Sequence, residues 1–191
     1  MILPDQRIQG LCQAHSMVKP FVKENLQPAS LDLTLASDFK KVRAPGWTYQ
    51  RDDPSYYIDL TDVAGTTTDL YFDHVGPQVM IRPNEFVLGR TQETVTLPDN
   101  IVGRVEGKSS LGRLGLLVHS TAGYVDPGFS GTITLEFYNL NKRSIILSEG
   151  LRICQISFSE MSGPARKPYG SDGLKSKYQN QQETTVSRYE G

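Results

Sequence analysis

The segment Thr132-Ile133-Thr134-Leu135-Glu136-Phe137-Tyr138 alternates strictly between apolar and polar side chains. A period of two can bury one face only, so this is a half-buried strand and not a helix. Ile133, Leu135 and Phe137 face one side, and Thr132, Thr134, Glu136 and Tyr138 the other. Strands of the same kind are expected at Glu85–Arg90, Glu93–Leu97 and Ile101–Val105, with shorter apolar ones at Leu116–Val118, Ser144–Leu147 and Leu151–Phe158. Pro98-Asp99-Asn100, Asp126-Pro127-Gly128 and Glu149-Gly150 punctuate them as turns. Many short strands joined by Gly/Pro turns predict an all-β barrel or sandwich.

The first 80 residues add less regular structure. Ile8, Leu11 and Cys12 have the spacing of a short amphipathic helix within 4–17, and Pro20 stops any continuation. Leu31, Leu33 and Leu35 alternate with Ser30, Asp32 and Thr34, predicting a half-buried strand with Asp32 on its polar face, solvated or hydrogen-bonded. Residues 36–80 read as irregular, with short strands at Tyr56–Leu60 and Gln78–Ile81. Trp47, Tyr49, Tyr56, Tyr57 and Tyr71 read as packing or subunit contact, and no site is expected there. From Ser162 the alternation stops. The polar tail to Gly191 is on composition a mobile segment, or one that orders over a phosphate ligand.

At 191 residues the chain is one domain or a domain plus an extension. A formal net charge of −1 supplies no global basic field, so nucleic acid is not expected as a partner. Cys12 and Cys154 stand alone, without zinc-ligand spacing, and are expected as buried thiols. Met1-Ile2-Leu3-Pro4-Asp5 lacks the charged and apolar regions of a secretory signal, and no apolar run reaches membrane-spanning length. A cytoplasmic protein without membrane contact is the expectation.

The chemistry concentrates between Gly103 and Glu136. Gly103-Arg-Val-Glu-Gly107-Lys108-Ser109 is one residue short of a P-loop, and Gly112 and Gly115 interrupt the helix a P-loop needs. That reading is excluded, although Lys108, Ser109, Ser110 and the small residues still suit phosphate oxygens. Glu136 is either a surface glutamate or an acid facing a pocket, with Arg113 as its charge partner. Asp126 has the features of a turn aspartate. His15, His74 and His119 are too scattered to suggest a metal site or a triad.

Three motifs in order, Gly103-Arg-Val-Glu-Gly-Lys-Ser-Ser-Leu-Gly-Arg-Leu-Gly-Leu, His119-Ser-Thr-Ala-Gly-Tyr-Val-Asp-Pro-Gly-Phe-Ser-Gly131 and Ile133-Thr-Leu-Glu-Phe137, resemble dCTP deaminase, a branch of the dUTPase-like superfamily. The likeness extends to Gln27-Pro-Ala-Ser-Leu-Asp-Leu-Thr-Leu35 and, in the tail, to Ser162-Gly-Pro, Pro168-Tyr169 and Ser176-Lys-Tyr-Gln-Asn-Gln-Gln182. Residues 40–75 lie outside it. The resemblance implies an all-β dominated, dUTPase-like β-barrel (β-clip) with short helices. It implies a β domain over 1–161 and a lid over 162–191. It also implies a homotrimer with active sites between subunits. The substrate would be dCTP with Mg²⁺ on its phosphates, with dUTP or dTTP as related ligands and no protein-bound metal.

Residue by residue, the resemblance implies that Glu136 is the general base and acid for water attack on C4 of cytosine. Ser109 and the backbone at Ala122 would hold the water and the base, and Arg113 would orient Glu136. Lys108, Ser109 and Ser110 would meet phosphate oxygens, joined by Tyr169, Lys177 and Gln181 from the lid. Asp126 would bind the deoxyribose 3′-hydroxyl. Some deaminase-only members carry His-Arg where this chain has Gly123-Tyr124, which points to the bifunctional branch giving dUMP and diphosphate. Asn180-Gln181-Gln182 resembles the deaminase-only tail and places release of dUTP ahead. A non-catalytic nucleotide-binding regulator on the same fold is the remaining reading.

Overall fold

The computed structural model describes residues 1–42, 70–119 and 121–189. Helix α1 (Asp5–His15) buries Ile8, Leu11 and Cys12 and ends at Ser16, whose backbone is left-handed at φ 52° and donates its N–H to Leu11 O. The helix therefore stops four residues before Pro20. The strands follow as β1 (Val18–Lys19), β2 (Leu26–Gln27), β3 (Ser30–Thr34), β4 (Asp38–Val42), β5 (Tyr71–Val75), β6 (Gln78–Ile81), β7 (Phe86–Thr96) and β8 (Ile101–Gly107). A single helical turn, α2 (Ser109–Gly112), precedes β9 (Leu116–Val118), β10 (Tyr124–Val125), β11 (Ser130–Asn139), β12 (Ile145–Ser148) and β13 (Arg152–Glu160).

One sheet runs β5-β4-β7-β11-β9, with β1 on β7; a second runs β10-β8-β13-β3-β2; β6 and β12 form a ribbon. The apolar faces of both larger sheets meet in one cluster containing Phe39, Val87, Leu135 and Phe137 from the first and Leu31, Leu33, Ile156 and Phe158 from the second. The strand-dominated class expected from alternation is the one found. No helix among the described residues is long and apolar enough to cross a membrane.

Several local expectations are corrected. Glu85–Arg90 and Glu93–Leu97 are not two strands but the single eleven-residue β7. Thr91, at the supposed break, is fully buried, and its hydroxyl donates to Glu93 O at 2.8 Å. The same hydroxyl accepts from Ile133 N, where β11 slips register against β7 between Thr132 and Thr134. Within the stretch read as irregular, β4 and β5 pair along five residues each. Their burial follows no strict alternation, which hid them. The strand expected at Tyr56–Leu60 lies outside the described residues. Lys108 precedes α2, with no side-chain cap bond.

Asp32 is not solvated. It is 2% exposed, and its Oδ1 lies 2.6 Å from Lys108 Nζ. A second buried acid, Glu93 on β7, joins the two sheets. Its carboxylate oxygens accept from Thr34 Oγ1 at 2.7 Å and from Thr34 N at 2.9 Å on β3. Burial pushes the Glu93 carboxyl up, and the Thr34 hydrogen bonds only partly oppose it.

A carboxyl raised in the folded state contributes stability that is complete below its unfolded pKa, about 4.3, and is lost as pH rises through the folded value. Glu93→Gln removes that titration. The stability difference, wild type minus variant, is expected to fall as pH rises above about 4.3 in urea unfolding. A pH-independent difference would contradict this placement of Glu93.

Candidate active site

Alternation along β11 buries Leu135 and Phe137 and sends Thr134 and Glu136 to the opposite face. There Glu136 pairs with Leu88, and Thr134 with Arg90, across β7. The Glu136 side chain is 31% exposed. It opens onto a cavity of about 1010 Å³ walled by Tyr71, Leu88, His119, Ala122, Asp126 and tail residues including Tyr169, Lys177 and Gln181.

Among the described residues, the basic side chain paired with Glu136 is His119, not Arg113. His119 Nδ1 lies 2.9 Å from Glu136 Oε2, and the imidazole is only 7% exposed. Its Nε2 lies 3.0 Å from Ala122 O, and its backbone N–H donates to Glu136 O at 2.8 Å. A carbonyl can only accept, so Nε2 carries a proton. Nδ1 then faces Glu136 Oε2 across 2.9 Å, both atoms buried and neither with a hydrogen-bond partner. Glu136 is thus held beside a proton-bearing group at the cavity wall. Nothing in the spacing of the three histidines reveals this. His119 reaches Glu136 because β9 pairs Val118 with Phe137, one residue away on each strand.

The far wall is a turn with the tail packed on it. Asp126 opens the turn, and its carbonyl accepts Phe129 N–H at 3.1 Å. Gly128 adopts φ +87°, and a Cβ there would meet Pro168 Cβ at 2.5 Å and Tyr169 O at 2.9 Å. Tyr169 N donates to Pro127 O at 2.7 Å, and its ring lies 5.8 Å from that of Phe129. Beyond it the tail follows β11. Asn180 N donates to Ser130 O, Thr132 N to Gln181 O, and Gln181 Nε2 to Thr132 O at 2.7 Å. The tail is therefore not loose on the protein. Glutamine amides, threonine hydroxyls and backbone groups hold it, and these score only as polarity in a composition. Tyr71, read as packing or subunit contact, lines this cavity; Trp47, Tyr49, Tyr56 and Tyr57 lie outside the described residues.

The sequence-derived candidates fall into two groups. Glu136, Ala122, Asp126, Tyr169, Lys177 and Gln181 share the cavity. Lys108, Ser109, Ser110 and Arg113 do not line it. Ser109, Ser110 and Arg113 are exposed, while the ammonium of Lys108 is drawn to Asp32 at the end of the second sheet. Arg113 therefore does not meet Glu136 inside one chain: it is exposed and does not line the cavity onto which Glu136 opens.

Known proteins match this chain over most of its length. A family model described as dCTP deaminase-like matches residues 2–161. The protein named "dCTP deaminase, dUMP-forming" from Dictyoglomus thermophilum is 43% identical over 196 residues, covering 98% of this chain and 94% of its own. The protein of that name from Clavibacter michiganensis subsp. michiganensis is 44% identical over 190 residues, covering 98% and 90%. Among solved structures, 2′-deoxycytidine 5′-triphosphate deaminase from Agrobacterium tumefaciens superposes with a TM-score of 0.62 at 24% identity, a likeness of fold. That superposition covers 82% of this chain and 46% of the other.

The turn and tail geometry makes Gly128→Ala a test of this wall. Left-handed strain and the collision with Pro168 and Tyr169 should together destabilise the folded chain by about 1–3 kcal/mol. A lowered midpoint in thermal or urea unfolding checks it; an unchanged midpoint would mean that the tail does not pack on this turn in solution.

Proposed function

Because this chain belongs to the dCTP deaminase-like family, we propose that it deaminates dCTP and carries the product on to dUMP and diphosphate. The observation that carries the deamination step is Glu136, half-buried on the cavity wall with a proton-bearing imidazole 2.9 Å away. The names of the relatives at 43–44% identity support the second step, as does Gly123-Tyr124 in the sequence. The tail motif Asn180-Gln181-Gln182, which places dUTP release ahead on sequence alone, is the weaker indicator. Release of dUTP is therefore the second reading.

In the deamination, a water oxygen bonds to C4 of cytosine while Glu136 takes its proton. Glu136 returns that proton to the ring nitrogen, then takes the proton of the new C4 hydroxyl and passes it to the 4-amino group as the C4 carbonyl forms. The C4–N bond then breaks, leaving uracil and ammonia. His119 packs against one carboxylate oxygen of Glu136 and leaves the other to face the cavity as base. In the second step a water attacks the α-phosphorus and the α–β anhydride bond breaks. Asp126 is the acid placed to orient that water and to meet the 3′-hydroxyl.

Tyr169, Lys177 and Gln181 bring tail donors to the triphosphate, which enters with its own Mg²⁺. Ser109, Ser110, Arg113 and Lys108 complete the site from a neighbouring copy in a homotrimer. That they do not line the cavity of their own chain supports that assignment. A regulator that binds nucleotide without turning it over is disfavoured by the engaged Glu136.

Incubation with dCTP and Mg²⁺ should release ammonia and diphosphate at equal rates. Ammonia with accumulating dUTP would select the second reading, and neither product would refute the enzyme. Glu136→Gln should lower kcat for ammonia release by about 10²–10⁴-fold; full activity would remove it from the mechanism. Glu136→Gln and Arg113→Ala chains, each inactive alone, should regain activity when refolded together, because mixed trimers contain sites with both native groups. No recovery would place both residues in one chain's site. Lys177→Ala should raise KM for dCTP with less effect on kcat, as expected for a contact made equally in ground and transition states.

A further inference from the structure

We infer that Asp38 is a positioning residue for the reaction: through Thr184 it fixes where the tail crosses the cavity beside Glu136. This rests on the deaminase reading for its kinetic consequences, though not for the geometry. Asp38 opens β4, far in sequence from the tail. Its Oδ2 accepts Thr184 N at 2.8 Å, and its backbone carbonyl accepts Thr184 Oγ1 at 2.7 Å. Its Oδ1 lies 2.7 Å from Arg90 Nε on β7. Thr184 is 3% exposed, so a tail of otherwise polar, partly exposed residues is docked tightly at this point.

Strand register explains why the clasp bears on the site. Lys40 pairs with Leu88, the Asp38 side chain two residues earlier meets Arg90, and Arg90 pairs with Thr134. Asp38, Arg90 and Thr134 therefore form one row across the sheet. Thr185 N approaches Thr134 Oγ1 at 3.3 Å, so the tail crosses the sheet along that row. The adjacent row on the same face is Lys40, Leu88 and Glu136. Two residues along a strand are roughly 7 Å apart. Thr185, Val186 and Ser187, which follow the clasp directly, line the cavity with Glu136. A slip at Thr184 would shift that wall against the catalytic acid. The Asp38 carboxyl stays an acceptor: burial alone would push its pKa up, but the hydrogen bonds from Thr184 and the Arg90 guanidinium outweigh burial and hold it below its usual range.

The test uses Thr184→Val, which leaves the Asp38–Arg90 contact intact, together with Asp38→Asn, Thr184→Ser and a chain ending at Glu183. Trypsin cleavage after Lys177 and Arg188 reads tail docking, and dCTP kinetics read its consequence. Thr184→Val and Asp38→Asn should each speed cleavage and raise KM for dCTP roughly tenfold, the scale of a hydrogen bond to a charged or buried acceptor. Thr184→Ser should behave as wild type. In the shortened chain Asp38→Asn should add no further KM penalty, since its partner is gone. Native cleavage rates in Thr184→Val would overturn the proposal, and so would an Asp38→Asn penalty undiminished in the shortened chain. If the wild type released no ammonia from dCTP, the functional reading would fail, and the trypsin comparison would still decide the clasp.

Discussion

The two-residue period of β11 is the constraint on which the rest depends. One face of this strand places Leu135 and Phe137 in the common core, and the other presents Thr134 and Glu136 to the cavity. A shift by one residue would bury the acid and expose the aromatic ring, so register and chemistry are specified together. The slip at Thr132/Thr134, closed by Thr91 Oγ1, lets Ile133 be buried while also reaching the cavity wall. Both neighbours of β11 then contribute to the site. β9 delivers His119 to the carboxylate, and β7 relays the register to Asp38 on β4.

Much of this was legible in the sequence, for a definite reason. Where one face is buried and the other is more exposed, alternation is explicit, and β8, β11 and β13 follow from it. It fails where burial is irregular, as along β4 and β5, or where a buried threonine bridges an apparent gap, as Thr91 does in β7. Glu136 could be found because it interrupts an apolar strand. His119 could not, since its partnership with Glu136 depends on a strand pairing and on a left-handed backbone at φ 51°, neither written in local spacing. Asp38 and Thr184 were hidden in the same way, being 146 residues apart.

The division of the candidate residues into two groups has an electrostatic side. Lys108 is held by a nearly fully buried Asp32, with Arg152 4.0 Å from the other carboxylate oxygen. A buried acid of this kind is tolerated only while it is paired. The loop of Lys108, Ser109 and Ser110 is thereby fixed to the second sheet, and the two serines project from a rigid base. Precision in this loop comes from the buried acid in the core of its own chain.

The tail has a consequence apart from catalysis. Between Ser130 and Thr132, β11 has β7 on one side, and β9 does not begin to pair until Phe137. Asn180 and Gln181 occupy the backbone groups left over on that edge. An uncovered edge is a template on which a foreign strand can add. The segment that roofs the cavity thus also guards the barrel against unwanted association. Release of Asn180 and Gln181 from β11 would unmask that edge.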